Sequence, residues 1–142
     1  MTDGTFEKIK HSDRRLYGPQ KLLLCGFSPA AQPKFMTLLK MAGLDSIPVV
    51  WAAAGSPNET LAALLDLPNG SGVGGAGDFP RAVIASGITQ NQLHTLMTIC
   101  RQSGMQPALW AALTPTSATW PLRRLLTELE AEREALRQAK EK

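Results

Sequence analysis

The two halves of this 142-residue sequence resemble each other at an offset of about 60 residues. The matched segments are Lys21-Leu-Leu-Leu with Arg81-Ala-Val-Ile, Gly26-Phe-Ser with Gly87-Ile-Thr, Gly43 with Gly104, and Pro48-Val-Val-Trp-Ala-Ala53 with Pro107-Ala-Leu-Trp-Ala-Ala112. A similarity that keeps one offset through apolar runs, glycines and prolines is typical of an internal duplication. We therefore predict a strand–helix–strand–helix unit that occurs twice.

Each unit begins with a continuous apolar run, at residues 21–25 and 81–85, which is typical of a strand covered on both faces. The second strands, at 47–52 and 107–113, start close to a proline, which cannot donate to a strand ladder, so we place both at sheet edges. Alternating strands and helices favour parallel pairing with right-handed crossovers. We predict an α/β fold with a small, four-stranded, mainly parallel sheet in the order 2-1-3-4, helices on both faces and a two-fold axis parallel to the strands. A ferredoxin-like α+β arrangement is the alternative.

We expect one domain at residues 21–142 after an N-terminal arm at residues 1–20. Repeat one spans 21–68, a Gly-rich linker spans 69–80, and repeat two spans 81–142. The linker sequence Gly72-Val-Gly-Gly-Ala-Gly77 fits the GxGxxG pattern of dinucleotide-binding loops. That motif requires a strand before it and a helix after it, whereas here a helix precedes and a strand follows. We therefore predict a linker and no cofactor.

Composition argues against several classes of partner. The 15 Lys and Arg residues are scattered and stand against 12 Asp and Glu, so the net charge of +3 does not form the cationic face that nucleic acid requires. No apolar run is long enough for a membrane span, and we expect a cytoplasmic protein. Cys25 and Cys100 lack a CxxC spacing and predict buried thiols with no metal site.

A ligand site is predicted where the two central strands end. If those strands are parallel, their carboxyl ends form a topological switch point, and two helix N-termini there favour a small anion or carboxylate. The predicted residues are Gly26, Phe27, Ser28, Gly87, Ile88 and Thr89, with hydroxyls added by Thr114 and Thr116 after the fourth strand. The alternative is that these residues only make turns and helix caps. Capping boxes are also predicted at Ser56–Glu59 and Thr89–Gln92.

The loops after the first and third strands contain no acid, base or nucleophile, and His94 on the third helix has no orienting carboxylate nearby in sequence. We therefore lean against an enzyme and predict no catalytic residue. The last helix has an apolar stripe made by Leu122, Leu125, Leu126, Leu129 and Leu136. We expect its final turns to extend beyond the sheet, where they could pack on a second copy together with an edge strand bearing Trp51 or Trp110; a solvated helix end is the alternative.

The stretch Leu113-Thr-Pro-Thr-Ser-Ala-Thr-Trp-Pro-Leu122 and the helix after it resemble a small bacterial family, domain of unknown function 3783. The resemblance covers residues 81–135. It rests on Thr114, Pro115, Thr116, Trp120, Leu125, Leu126, Glu128 and Leu129. Ser117 stands where the family usually has Asn, and Trp110 stands where it has Lys. The resemblance implies a fold and carries no activity.

Two functional hypotheses follow. The first is a non-enzymatic interaction or regulatory module that self-associates, with a homodimer as the expected form. The second is a binder of a small anionic metabolite at the switch point between the first and third strands.

Overall fold

The computed structural model describes residues 14–54, 56–75 and 77–140. Two short 3-10 turns, at Ser56–Asn58 and Ser117–Thr119, precede the second and fourth helices. In chain order the strands and helices are β1 (Lys21–Cys25), α1 (Ala31–Met41), β2 (Val49–Trp51), α2 (Leu61–Leu65), β3 (Ala82–Ser86), α3 (Gln90–Gln102), β4 (Leu109–Ala112) and α4 (Leu122–Lys140).

The strands form one sheet in the order β2-β1-β3-β4, as predicted. β1 pairs in parallel with β2, and β3 pairs in parallel with β4. The two strands that follow Pro48 and Pro107 therefore lie at the edges, where a residue without an N–H costs the ladder least. The prediction of an α/β fold with this strand order is confirmed.

The prediction that the two central strands, β1 and β3, run parallel is wrong. β1 and β3 are antiparallel, with Leu23 opposite Ile84, so the sheet is mixed and not mainly parallel. The axis that relates the two halves is consequently perpendicular to the sheet and not parallel to the strands. An apolar run shows that a strand is buried but not which way it runs, since crossovers constrain direction only within each unit. The ferredoxin-like alternative is also wrong, because that fold splits each strand–helix–strand unit around another strand, whereas here the strands of each unit are adjacent.

Helices cover both faces of the sheet, as predicted. Side chains of a strand point alternately to its two faces, so Leu22 and Leu24 pack with α1 and α3, while Leu23 packs with α2 and α4. All three leucines are buried. The two cores hold the sheet between helical layers, and they explain why the four strands are apolar without alternation.

One offset of 61 residues relates the strand registers of the two halves. Leu22 lies opposite Val49, and Val83, 61 residues after Leu22, lies opposite Trp110, 61 residues after Val49. Val49 and Trp110 are therefore structural counterparts, and so are Trp51 and Ala112. The sequence alignment matched Trp51 with Trp110, two positions away from the strand register. The internal duplication itself stays an inference.

Two of the predicted helix starts are tested by the structure. Thr60, not Ser56, caps α2, with its hydroxyl accepting from the Ala63 N–H; the Ser56 hydroxyl accepts instead from the Ala53 N–H. The capping box of Thr89 and Gln92 is confirmed at the start of α3.

Residues 14–20, the described part of the predicted arm, pack along the start of α3 and the end of β3. The Leu16 N–H donates to the Ile88 carbonyl at 2.7 Å, and the Gly87 N–H donates to the Tyr17 carbonyl at 3.1 Å. Residues 1–13 of the arm lie outside the described residues. Across the described ranges, no helix combines the length and the apolar character needed to cross a bilayer.

Candidate functional site

The predicted ligand residues lie at opposite ends of the sheet. Cys25 pairs with Ala82 and Lys21 pairs with Ser86, so the carboxyl end of β1 lies beside the amino end of β3. Residues 26–28 and 87–89 are thus separated by the length of these strands, about 15 Å at about 3.3 Å per residue. Thr114 and Thr116 follow β4, which is parallel to β3, and so belong to the 87–89 end. The predicted switch-point crevice is therefore wrong, because antiparallel central strands do not end side by side.

The hydroxyls of these residues hold local turns and helix starts. The Ser28 hydroxyl accepts from the Ala31 N–H at 3.2 Å, and the Thr89 hydroxyl accepts from the Gln92 N–H at 3.0 Å. Thr114 and Ser117 close a reciprocal turn, because each backbone N–H donates to the hydroxyl of the other residue. These contacts match the alternative interpretation as caps and turns.

Gly87, Ile88 and Thr116 are also placed by the structure. The Gly87 carbonyl accepts from the Arg15 Nε, and Ile88 is fully buried. The Thr116 carbonyl accepts from the Thr119 hydroxyl within the turn before α4. A ligand role for any of the eight residues stays a prediction.

Both cysteines are free and buried, as predicted. Burial raises the pKa of Cys25 to about 12 and that of Cys100 to about 11, since the apolar surroundings disfavour the thiolate. Within residues 14–140, leaving out 55 and 76, no three His, Cys, Asp or Glu side chains lie close enough to share a metal ion.

The Gly-rich segment covers the outer edge of β2. The Gly70 N–H donates to the Val49 carbonyl and the Trp51 N–H donates to the Ser71 carbonyl, both at 2.8 Å. The Val49 N–H donates to Oδ1 of Asn69 at 2.9 Å. These bonds satisfy the outward-facing groups of an edge strand, which otherwise attract another chain. The segment predicted as a linker thus has a structural task.

Gln32 of α1 holds the later residues of this Gly-rich segment, Gly74 and Gly75, in place. It is 3% exposed; its Oε1 accepts from the Gly74 N–H at 2.8 Å and its Nε2 donates to the Gly75 carbonyl at 2.9 Å. Gly72 passes so close to β2 that a Cβ atom there would lie 2.1 Å from the Trp51 carbonyl oxygen. Glycine is required at this position by the close approach of the two backbones.

None of the described residues covers the outer edge of β4 in this way. Leu109 donates to the carbonyl of Arg81, just before β3, and Leu113 donates to that of Ala85 on β3, so the backbone groups of the alternate residues Trp110 and Ala112 face outward. No residue of the described ranges hydrogen-bonds these outward groups. Trp110 and Ala112 are the counterparts of Val49 and Trp51, whose equivalent groups the Gly-rich segment satisfies. The two edges of the sheet thus differ in whether described residues hydrogen-bond their outward backbone groups.

An apolar groove runs along this edge; we call it the β4 groove. Its volume is about 240 Å³. Its lining includes the backbone of β4, Leu93 and Met97 of α3, and Leu129, Glu132, Arg133 and Leu136 of α4. Leu136 is 62% exposed, and α4 residues 130–140 are exposed throughout, so the helix extends beyond the sheet as predicted.

Sequence reasoning located Trp110, the β4 edge and the overhanging Leu136 separately, but it did not join them into one groove. The joining requires α3 and α4 to flank β4 on opposite faces of the sheet, and the packing shows this, because Leu93 of α3 lies in one core and Leu129 of α4 in the other. A signal was present, since the Gly-rich segment follows β2 and its α2 but no such segment follows β4.

Residues 81–136 match the family described as "Domain of unknown function (DUF3783)". The resemblance predicted for the second half of the chain is confirmed, and every residue lining the β4 groove lies inside the matched segment. No curated protein and no solved structure matches this chain.

Proposed function

Taking the DUF3783 domain at residues 81–136 as the premise, we propose that this protein is an interaction module that self-associates through the β4 groove. In the proposed dimer, β4 of one copy pairs antiparallel with β4 of a second copy, and one sheet continues through both. The observation that carries the proposal is that no described residue hydrogen-bonds the outer edge of β4, whereas residues 69–71 hydrogen-bond the equivalent edge of β2.

The register of the proposed pairing follows from strand geometry. Outward-facing groups belong to Trp110 and Ala112, so pairing centred on Ala111 places Trp110 of each copy opposite Ala112 of the other. Both residues then exchange N–H···O=C bonds with the second copy. A bulky indole faces a methyl group, which avoids the crowding of two opposed tryptophans.

The walls of the groove suit a second copy of the same chain. Leu136 and Met97 provide apolar surface beside the paired strands, and burying an exposed leucine contributes roughly 1.5–3 kcal/mol. The rim carries adjacent charges of both signs, Glu132 and Arg133. Across a two-fold axis, such a rim can place each charge near its opposite, which favours an isologous contact.

Two further assignments belong to the same proposal. We infer that the halves arose by duplication, with the second half keeping its edge open for a partner. We assign the module to the cytoplasm, where reducing conditions suit the two free thiols.

Sedimentation velocity between about 1 and 100 µM tests the dimer, which would have twice the monomer mass of 15.3 kDa. Ala112→Pro removes an outward N–H but no bond to β3, so we expect a folded monomer. Ala112→Ser keeps the N–H and is the matched control, expected to dimerise like the parent. A parent chain that stays monomeric, or an A112P variant that dimerises equally well, contradicts the proposal.

A second variant covers the case in which the proline disturbs folding. Leu136→Lys changes an exposed side chain of the groove wall, so it leaves the core intact while it places a charge in the apolar contact. We expect weaker dimerisation by at least about tenfold, equivalent to about 1.4 kcal/mol. Hydrogen exchange at the Trp110 and Ala112 amides should slow in the dimer; fast exchange there would indicate a different interface.

A further inference from the structure

A second pocket, here named the basic pocket, lies between the first half of α1 and the carboxyl end of α3. Its volume is about 410 Å³, within the range of small-molecule sites. Two cationic side chains, Lys34 and Arg81, contribute to its lining. The apolar part of the lining is made by Phe27, Ala31, Phe35, Leu38 and Met105.

Arg81 is held in place by an aromatic platform. Its guanidinium carbon lies 4.5 Å from the centroid of the Phe27 ring, a cation–π contact. The Phe27 ring is fixed in turn by Phe35 and Trp51, with centroids 5.0 and 5.8 Å away. A guanidinium that is positioned before a ligand arrives loses less conformational entropy on binding.

Among the described residues, the charge of Arg81 has no anionic counterpart. Its Nε is buried with no hydrogen-bond partner, and burial lowers the pKa of Arg81 because it disfavours the charged form. In the described ranges, no carboxylate lies within salt-bridge distance of Arg81 or Lys34. Desolvating a cation that has no anionic partner costs free energy, which a bound anion would offset.

The fold does not require cations at these two positions. The residues 61 positions away in the other half are Gln20 and Thr95, both neutral. Lys34 belongs to the first half and Arg81 to the second, so the fold brings them together across the two halves, and the symmetry-related pair, Thr95 and Gln20, carries no charge.

We infer that the basic pocket binds a small organic anion, a carboxylate carried on a compact apolar body. The carboxylate would contact the guanidinium of Arg81 and the ammonium of Lys34, and the apolar body would lie against Phe27, Leu38 and Met105. A planar carboxylate matches the donor geometry of a guanidinium. The apolar lining disfavours a bare inorganic ion, which would leave that surface in contact with water. This inference is independent of the β4 groove, which lies on another edge of the molecule.

Amide NMR titrations with four probes test the inference. Benzoate carries both features, benzamide lacks the charge, acetate lacks the apolar body, and inorganic phosphate is a bare anion. We expect saturable shifts at Lys34, Gly104 and Met105 with benzoate, and affinities weaker by about tenfold or more for the other three, as loss of one charged contact implies. If benzamide binds as tightly as benzoate, the pocket selects apolar groups without regard to charge. If phosphate binds more tightly than benzoate, the ligand is an inorganic anion and not an organic carboxylate. Either result overturns the inference.

Variants tie the shifts to the two cations. Arg81→Gln should lower the affinity for benzoate by about tenfold. The control Arg101→Gln, at an exposed arginine of α3, should leave that affinity unchanged. Lys34→Gln alters an exposed side chain, so this variant should fold even if the substitution at position 81 disturbs folding. It should weaken benzoate binding by about threefold. Unchanged binding in both variants, or shifts spread over the surface without saturation, overturns the inference.

Discussion

Replacing Gly72 by alanine should detach the Gly-rich segment from the edge of β2. The added Cβ would lie 2.1 Å from the carbonyl oxygen of Trp51, and that atom belongs to the backbone of a buried strand. The strand cannot retreat without breaking its ladder with β1, so the segment must move.

The magnitude follows from the contacts that the movement breaks. Gly72 has a φ of +80°, and a left-handed alanine costs about 1 kcal/mol or slightly more. The bonds from Gly70 N–H to Val49 and from Trp51 N–H to Ser71 are then lost, each contributing about 1 kcal/mol. We therefore expect a loss of about 3 kcal/mol in the free energy of unfolding, or about 12 °C in Tm.

Gly74→Ala is the matched control, because Gly74 has the same φ of +80° but no atom of the described residues lies within 4 Å of the position that an added Cβ would take. It should lower the free energy of unfolding only by the cost of a left-handed alanine, about 1 kcal/mol, which corresponds to about 4 °C in Tm. Thermal unfolding by circular dichroism measures both variants, and hydrogen exchange at the Trp51 amide reports whether the edge has opened. Equal destabilisation by the two substitutions, within about 0.5 kcal/mol, would refute the reasoning, because it would show that proximity to β2 is irrelevant.

The remaining predictions concern a helix cap and the two thiols. Thr89→Ala removes the capping-box hydroxyl and should lower stability by about 1 kcal/mol in a denaturant titration, whereas Thr95→Ala, exposed on the same helix, should stay within about 0.5 kcal/mol. Cys25 and Cys100 should react slowly with a thiol reagent at about pH 8 in the native protein and quickly in guanidinium, since only unfolding exposes thiols of ordinary pKa. The raised pKa values also predict that stability falls as the pH rises above about 8.5, because unfolded thiols ionise there while native thiols stay protonated up to about 11; a pH-independent stability between about 8.5 and 10 contradicts this.

Much of the architecture could be predicted from residue patterns. Apolar runs such as Lys21–Cys25 identified strands covered on both faces, and Pro48 and Pro107 identified the edges. The capping box at Thr89 was predicted from local chemistry alone, because its hydrogen bonds join residues three apart. Patterns of this kind depend on neighbours in the chain or on the apolar character of a whole segment, and both can be determined from the amino-acid sequence.

The site could not be predicted in the same way. Residues 26–28 and 87–89 were expected to meet, and they lie apart because β3 runs against β1. Gly72 was interpreted as part of a linker, since nothing near it in sequence indicates that Trp51 approaches within contact distance.

The order of residues was sufficient for which segments become strands and helices, which strands lie at the edges, and which thiols are buried, because each depends on local spacing or on apolar character. Tertiary structure alone set the direction of the central pair, the cover on the β2 edge, the β4 groove and the placement of Arg81 over the Phe27 ring. Those features depend on backbone groups and side chains that are distant in the chain, and a strand's hydrogen-bonding edge looks the same in sequence whether it is covered or exposed.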